Sequence, residues 1–198
     1  MKKQLFTIML VLVAFAINAQ TEKGKWMVSG ATGLQFGSLT TKQVYDGYSG
    51  GKMKTSTFSL MPSVNYFVMD NLAVGLGLSY TSSTQKGNSY KDTTSSTILL
   101  PNAIYFFPLE GNIKPFAQIG AGYASVVYEY SGGGDSDEEK FAGFVYNLGG
   151  GVAYFVQENI TFNFGLSYTG GNLENDNYSN NEIKQSNFAA NIGISVFF

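Results

Sequence analysis

Residues 64–80 read VNYFVMDNLAVGLGLSY, and this stretch decides the fold. After "MDN", Leu72, Val74, Leu76, Leu78 and Tyr80 alternate with Ala73, Gly75, Gly77 and Ser79. Successive strand residues point to opposite faces, so this is a strand with one bulky apolar face and one small face. The stretch recurs without gaps as VAYFVQENITFNFGLSY at 152–168, identical at nine of seventeen positions. A weaker copy, AIYFFPLEGNIKPFAQIGAGY, runs from Ala103 to Tyr123. Each copy is a descending strand, a turn and an ascending strand, the hairpin that builds an up-and-down barrel.

The same two faces appear elsewhere. In "ITFNFGLSYT", Ile160, Phe162, Phe164, Leu166 and Tyr168 alternate with Thr161, Asn163, Gly165, Ser167 and Thr169. At the C-terminus Phe188, Ala190, Ile192, Ile194, Val196 and Phe198 alternate with Asn187, Ala189, Asn191, Gly193, Ser195 and Phe197. A soluble sandwich or barrel puts its bulky residues inside and Lys, Glu or Asp outside. These strands carry no charge on either face. That pattern predicts lipid against the bulky face and a tight, mildly polar interior.

Composition agrees. The chain has 198 residues, enough for one domain, with Gly 24, aromatics 15% and charged residues only 13%, about half the usual charged share. All twelve bases are Lys, and the chain has no Arg, His or Cys. Disulfide and thiolate chemistry are therefore excluded. "MKKQ", the apolar "LFTIMLVLVAFAI" and Ala19 form the pattern of a secretory signal peptide. The expected division is a cleaved signal at 1–19 and a barrel at 20–198. Cleavage removes Lys2 and Lys3, leaving 10 Lys against 14 acids and a net charge of −4. A mildly acidic chain without Arg has no electrostatic footprint for nucleic acid.

The predicted fold is all-β: an eight-stranded antiparallel up-and-down transmembrane β-barrel with short periplasmic turns and long extracellular loops. The strands are read at about 25–37, 57–68, 72–81, 96–107, 115–130, 140–156, 160–169 and 187–198. Short connections ("MDN", "PLEGNIK", "QEN") alternate with long polar ones such as "SSTQKGNSYKDTTS" and "GGNLENDNYSNNEIKQS". Short turns face the periplasm and long loops face outside in such barrels.

An aromatic doublet precedes each short turn: Tyr66-Phe67, Tyr105-Phe106 and Tyr154-Phe155. One ring of each pair goes out and one goes in. Tyr66, Tyr105, Tyr154 and Phe198 are expected to form a periplasmic aromatic girdle at headgroup level. Phe67, Phe106, Phe155 and Phe197 are expected to form a lumenal plug. An eight-stranded barrel is only wide enough for its side chains to fill it. Above the plug Gly75, Gly77, Asn147, Gly149, Gly151, Asn163, Gly165 and Gly193 leave space for waters, or simply relieve crowding and let the sheet bend.

The sequence predicts no enzyme. It has no His to act as base and no activated nucleophile pair. No cofactor or metal is expected. The acidic run Asp135–Glu139 offers carboxylates for Ca²⁺ but lacks EF-hand spacing; the plainer reading is a solvated, mobile loop. Tyr123, Tyr128, Tyr130 and Tyr178 are read as an outer girdle, or as seeds of a solute path.

The segments LMPSVNYFVMDN and LLPNAIYFFPLEGN, the turn and loop alternation and the terminal Phe resemble the small outer-membrane β-barrel family of Gram-negative bacteria, porin-family or OmpX/OmpW-like. The resemblance implies export to the outer membrane, contact with its lipid and handling by the barrel-assembly machinery. It implies that Phe198, Val196, Ile194, Ile192 and Ala190 resemble that machinery's recognition signal. The expected role is a non-enzymatic, monomeric barrel with a closed lumen, presenting four polar loops to a ligand or surface partner. The alternative is transport or binding of small apolar solutes through a narrow barrel.

Overall fold

The computed structural model describes residues 21–33, 37–45, 48–87, 90–132, 135–175 and 182–198. The expected signal peptide and Tyr178 lie outside the described residues. Among the described residues nine strand segments occur: β1 (Trp26–Gly33), β2 (Gly37–Tyr45), β3 (Tyr48–Met69), β4 (Leu72–Lys86), β5 (Tyr90–Phe106), β6 (Ile113–Gly132), β7 (Asp135–Gln157), β8 (Ile160–Asn175) and β9 (Glu182–Phe197). All pairings are antiparallel between sequence neighbours, and β1 closes the ring by pairing with both β3 and β9.

β1 and β2 are one stave of eight, because both pair with β3. Ala31 faces Met61 and Gly37 faces Thr57, so the first stave uses six residues where β3 uses four.

The strands run well past the stretches their alternation marks. β7 has 23 residues and β3 has 22, against roughly 10 needed to cross a bilayer. The expected long loops are therefore built largely of strand. The acidic run is not a free loop: Asp135–Glu139 opens β7, with Asp137 facing Tyr130 and Glu139 facing Tyr128. Polar Thr, Ser and charged residues hide this in the sequence, since outside lipid neither face need be apolar.

The stagger follows from the register. The path Met27–Asn65–Gly75–Asn102–Gly120–Asn147–Thr169–Asn187 crosses every stave. It meets β9 at Asn187, ten residues from Phe197, which faces Met27 across the seam. A shear of ten over eight staves tilts the strands by about 40°.

So tight a ring needs glycine on its concave side. A Cβ on Gly75 would lie 2.0 Å from the Val64 carbonyl oxygen, and one on Gly151 would lie 2.0 Å from that of Phe164. Both obstacles are backbone and neither can rotate away. Crowding, rather than reserved space, accounts for these two glycines. Gly151→Val is expected to reduce the folded fraction severalfold, whereas Gly30→Val, with nothing within 4 Å, leaves it near wild type. The heat-modifiable shift in gel mobility measures both.

Candidate functional site

The lumen is the candidate site, and it is layered. At the short-turn end Phe67, Phe106, Phe155 and Phe197 are buried with Met27, Ala73, Ile104 and Ala153, and Phe116 packs against them. Phe197 is the hub: its ring centroid lies 6.0 Å from Phe67, 6.1 Å from Phe106 and 5.4 Å from Phe155. The four phenylalanines share a backbone anchor. Their N–H groups donate to the carbonyls of Lys25, Asn71, Asn112 and Asn159 respectively, at 2.9, 2.8, 2.7 and 2.9 Å. Each acceptor lies just before an ascending strand. The turn of one hairpin thus fixes the ring of the next, and the hairpin repeat becomes a pseudo-fourfold cluster.

The N-terminal segment crosses beneath this cluster. The Thr21 carbonyl accepts from Asn71 N–H, Lys23 N–H donates to Asp70, and Gly24 N–H donates to the Phe67 carbonyl. Asn71 adopts φ 65° in the turn, a conformation that Asn tolerates. Lys114 is drawn inward, 3.4 Å from Thr21 Oγ1 and 5.4 Å from the Phe155 ring centre.

Above the rings the wall is neutral and polar. Ser29 and Ser195 share a 2.7 Å bond, Asn163 donates to Ser195, and Thr161 donates to Asn163. Gln118 donates to Asn147, which donates to Thr169 at 2.9 Å. Asn65, Asn102, Asn147 and Asn187 occupy the staggered row traced above, one on each descending strand. Because of the shear, the row climbs from two residues above Phe67 to ten above Phe197. Such a wall offers neutral hydrogen-bonding groups.

A second apolar cluster lies higher. Ala124, Val126, Phe141, Val145 and Leu173 are buried, with Ile98 and Ile183 against them. Sequence reading missed this cluster, although the inward parity of β7 and β8 carries it: Val145 and Leu173 lie in step with Asn147 and Thr169.

Outside, the bulky residues are exposed as a band. Tyr66, Tyr105 and Tyr154 are 36%, 39% and 44% exposed at the short-turn end. Trp26, the sole Trp, packs tilted against Tyr66 with ring centroids 5.0 Å apart, and Phe107 meets Tyr105 edge-on at 5.2 Å; alternation alone marks neither Trp26 nor Phe107. Ile194 and Ala190 are exposed on the outer face of β9, while Ile192, Val196 and Phe198 are half-buried there. Phe198 is tied by its backbone to Trp26, with bonds of 2.9 and 2.7 Å. Tyr123 is outward and 58% exposed, whereas Tyr128 packs edge-on against Phe141. Among the described residues no group of three potential acidic metal ligands converges.

The family model for the outer membrane protein beta-barrel domain matches residues 7–195. Solved structures similar in fold include AlkL in lipid bilayers, at TM-score 0.51 and 14% identity, covering 92% of this chain and 94% of that one. The attachment invasion locus protein Ail of Yersinia pestis, in complex with the heparin analogue sucrose octasulfate, matches at TM-score 0.50 and 13% identity, covering 89% and 99%. The N-terminal barrel domain of Pseudomonas aeruginosa OprF matches at TM-score 0.48 and 16% identity, covering 89% and 98%. No curated protein matches in sequence.

The hub position of Phe197 has a measurable consequence. Phe197→Ala is expected to destabilise the folded barrel by about 3–5 kcal/mol, because it opens a cavity against three rings. Phe116→Ala, at the edge of the cluster, is expected to cost less. Urea unfolding in lipid vesicles, followed by Trp26 fluorescence, compares them.

Proposed function

The chain belongs to the outer membrane protein beta-barrel domain family and lies in the outer membrane of Gram-negative bacteria; from that premise we propose a non-enzymatic barrel, closed at its periplasmic mouth, that presents its extracellular hairpins for surface interaction. The observation that carries closure is the Phe67, Phe106, Phe155 and Phe197 cluster, whose rings touch across the lumen within 5.4–6.1 Å. Thr21–Lys25 lies under it as a second layer, held by Asp70, Asn71 and Phe67. The absence of His and Cys from the sequence supports the non-enzymatic reading. A path for apolar solutes along the whole lumen would have to pass the phenylalanine cluster, so the closed reading is preferred.

The terminal residues divide in role. Phe198, Val196, Ile194 and Ile192 share the lipid side of β9 and supply the strip that the assembly machinery reads. Phe197 completes the plug. Tyr66, Tyr105, Tyr154 and Phe198 anchor the headgroup level, where a ring with an apolar body and, in Tyr, a polar tip is favoured.

Two outcomes test this. In planar bilayers the wild-type protein is expected to give no stable, large ion conductance; stable conductance would exclude closure. In cells, Phe198→Ala is expected to lower assembly yield severalfold, while Phe197→Ala, although it destabilises the folded barrel, leaves yield largely intact because the outward strip read during assembly is unchanged. Equal losses on immunoblots of outer membranes would remove that division.

A further inference from the structure

The charges beyond the lipid band are sorted by side. The extracellular ends of β2–β5 carry Lys42, Lys52, Lys54, Lys86 and Lys91 against Asp92 alone, a balance of +4. Those of β6–β9 carry Glu129, Asp135, Asp137, Glu138, Glu139, Glu174 and Glu182 against Lys140 and Lys184, a balance of −5. Asp46 and Asp176 lie outside the described residues and are not counted. Since β2–β5 and β6–β9 are contiguous runs around the ring, one half of the rim is basic and the other acidic.

The register makes the sorting costly. Lys42 faces Lys52, and Lys54 faces Lys86, which faces Lys91. Glu129 faces Glu138, and Glu174 faces Glu182. Among the described residues all five directly opposed charged pairs on the strands are like-charged, and none is opposite-charged. Like charges directly opposite destabilise a sheet, while opposite charges stabilise it. Shifting a few of these residues between hairpins would relieve the repulsion within one barrel.

We propose that the rim is a self-complementary surface on which the basic half of one copy docks against the acidic half of a second copy of this chain. The membrane supplies the alignment. Every copy has its hairpins on the same side and at the same height, so opposite halves meet without any search over tilt or level. A soluble polyanion would neutralise only the lysine half, and a cation only the acidic half; a second copy answers both. The contact is heterologous, so it extends into rows or closes into rings. It replaces the monomer expected from sequence. It rests on the rim being an interaction surface and is independent of whether the lumen is closed.

The test uses the full mature protein in phosphatidylcholine vesicles, labelled at a periplasmic turn through Glu158→Cys, with energy transfer read between donor and acceptor copies. At about 0.02 M salt, transfer should exceed random mixing, and at about 1 M, where screening acts within about 3 Å, the excess should fall at least tenfold. Lys54→Glu/Lys86→Glu/Lys91→Glu should abolish it, as should Glu129→Lys/Glu138→Lys/Glu139→Lys. Mixing these two variants should restore it, because both halves of one rim are then net acidic and both halves of the other net basic. Heat-modifiable mobility checks that each variant is folded. Transfer at the random level for wild type, or a mixture that fails to restore it, would overturn the proposal. So would excess transfer that arises only when lipopolysaccharide is added, which would assign the lysines to lipid phosphate.

Discussion

In lipid, every backbone N–H and C=O must find a partner within the protein, and the whole structure follows from that demand. A sheet meets it only by closing. β1 pairs with β3 on one side and β9 on the other, so "NIGISVFF" is no loose tail but the last stave of the ring. Closure at eight staves fixes a narrow lumen, and the narrow lumen in turn dictates glycine where strands curve most tightly. Gly75 and Gly151 sit where a single methyl group would strike a neighbouring carbonyl.

Closure also decides what the interior can contain. A charge placed there would face low-dielectric walls with little water. The wall above the rings instead uses Asn, Gln, Ser and Thr, several of which pair through neutral bonds such as Asn147 to Thr169, while Asn65 Oδ1 and Asn102 Oδ1 are buried without a hydrogen-bond partner. The shear of ten turns what would be a level ring of amides into a staircase. The phenylalanine cluster stays nearly level because each ring is pinned to a turn, and the turns share one rim. Turn geometry places the rings, while register places the amides.

Beyond the lipid band the constraint is lifted. Strands continue as hydrogen-bonded hairpins, and their side chains no longer sort by lipid and lumen. Charge sorting around the rim replaces sorting across the wall. Within one barrel the arrangement is repulsive, with Lys54, Lys86 and Lys91 in one row; between barrels held at one height by a common membrane it is complementary.

The hairpin repeat, the outward aromatic positions and the inward phenylalanines were legible in the sequence by alternation alone, because period two is the geometry of a strand and lipid makes one face unmistakable. The assembly-machinery role of the terminal strip came only from resemblance. Three things required the tertiary structure. The extent of the strands did, since Thr, Ser and acidic runs carry no apolar marker once lipid is left behind. The upper cluster of Phe141, Val145 and Leu173 did, since Leu173 is distant in sequence from the other two and meets them only through register. So did the pairing of lysine with lysine and glutamate with glutamate. A sequence shows how many charges a chain has; only the closed ring decides which of them face each other.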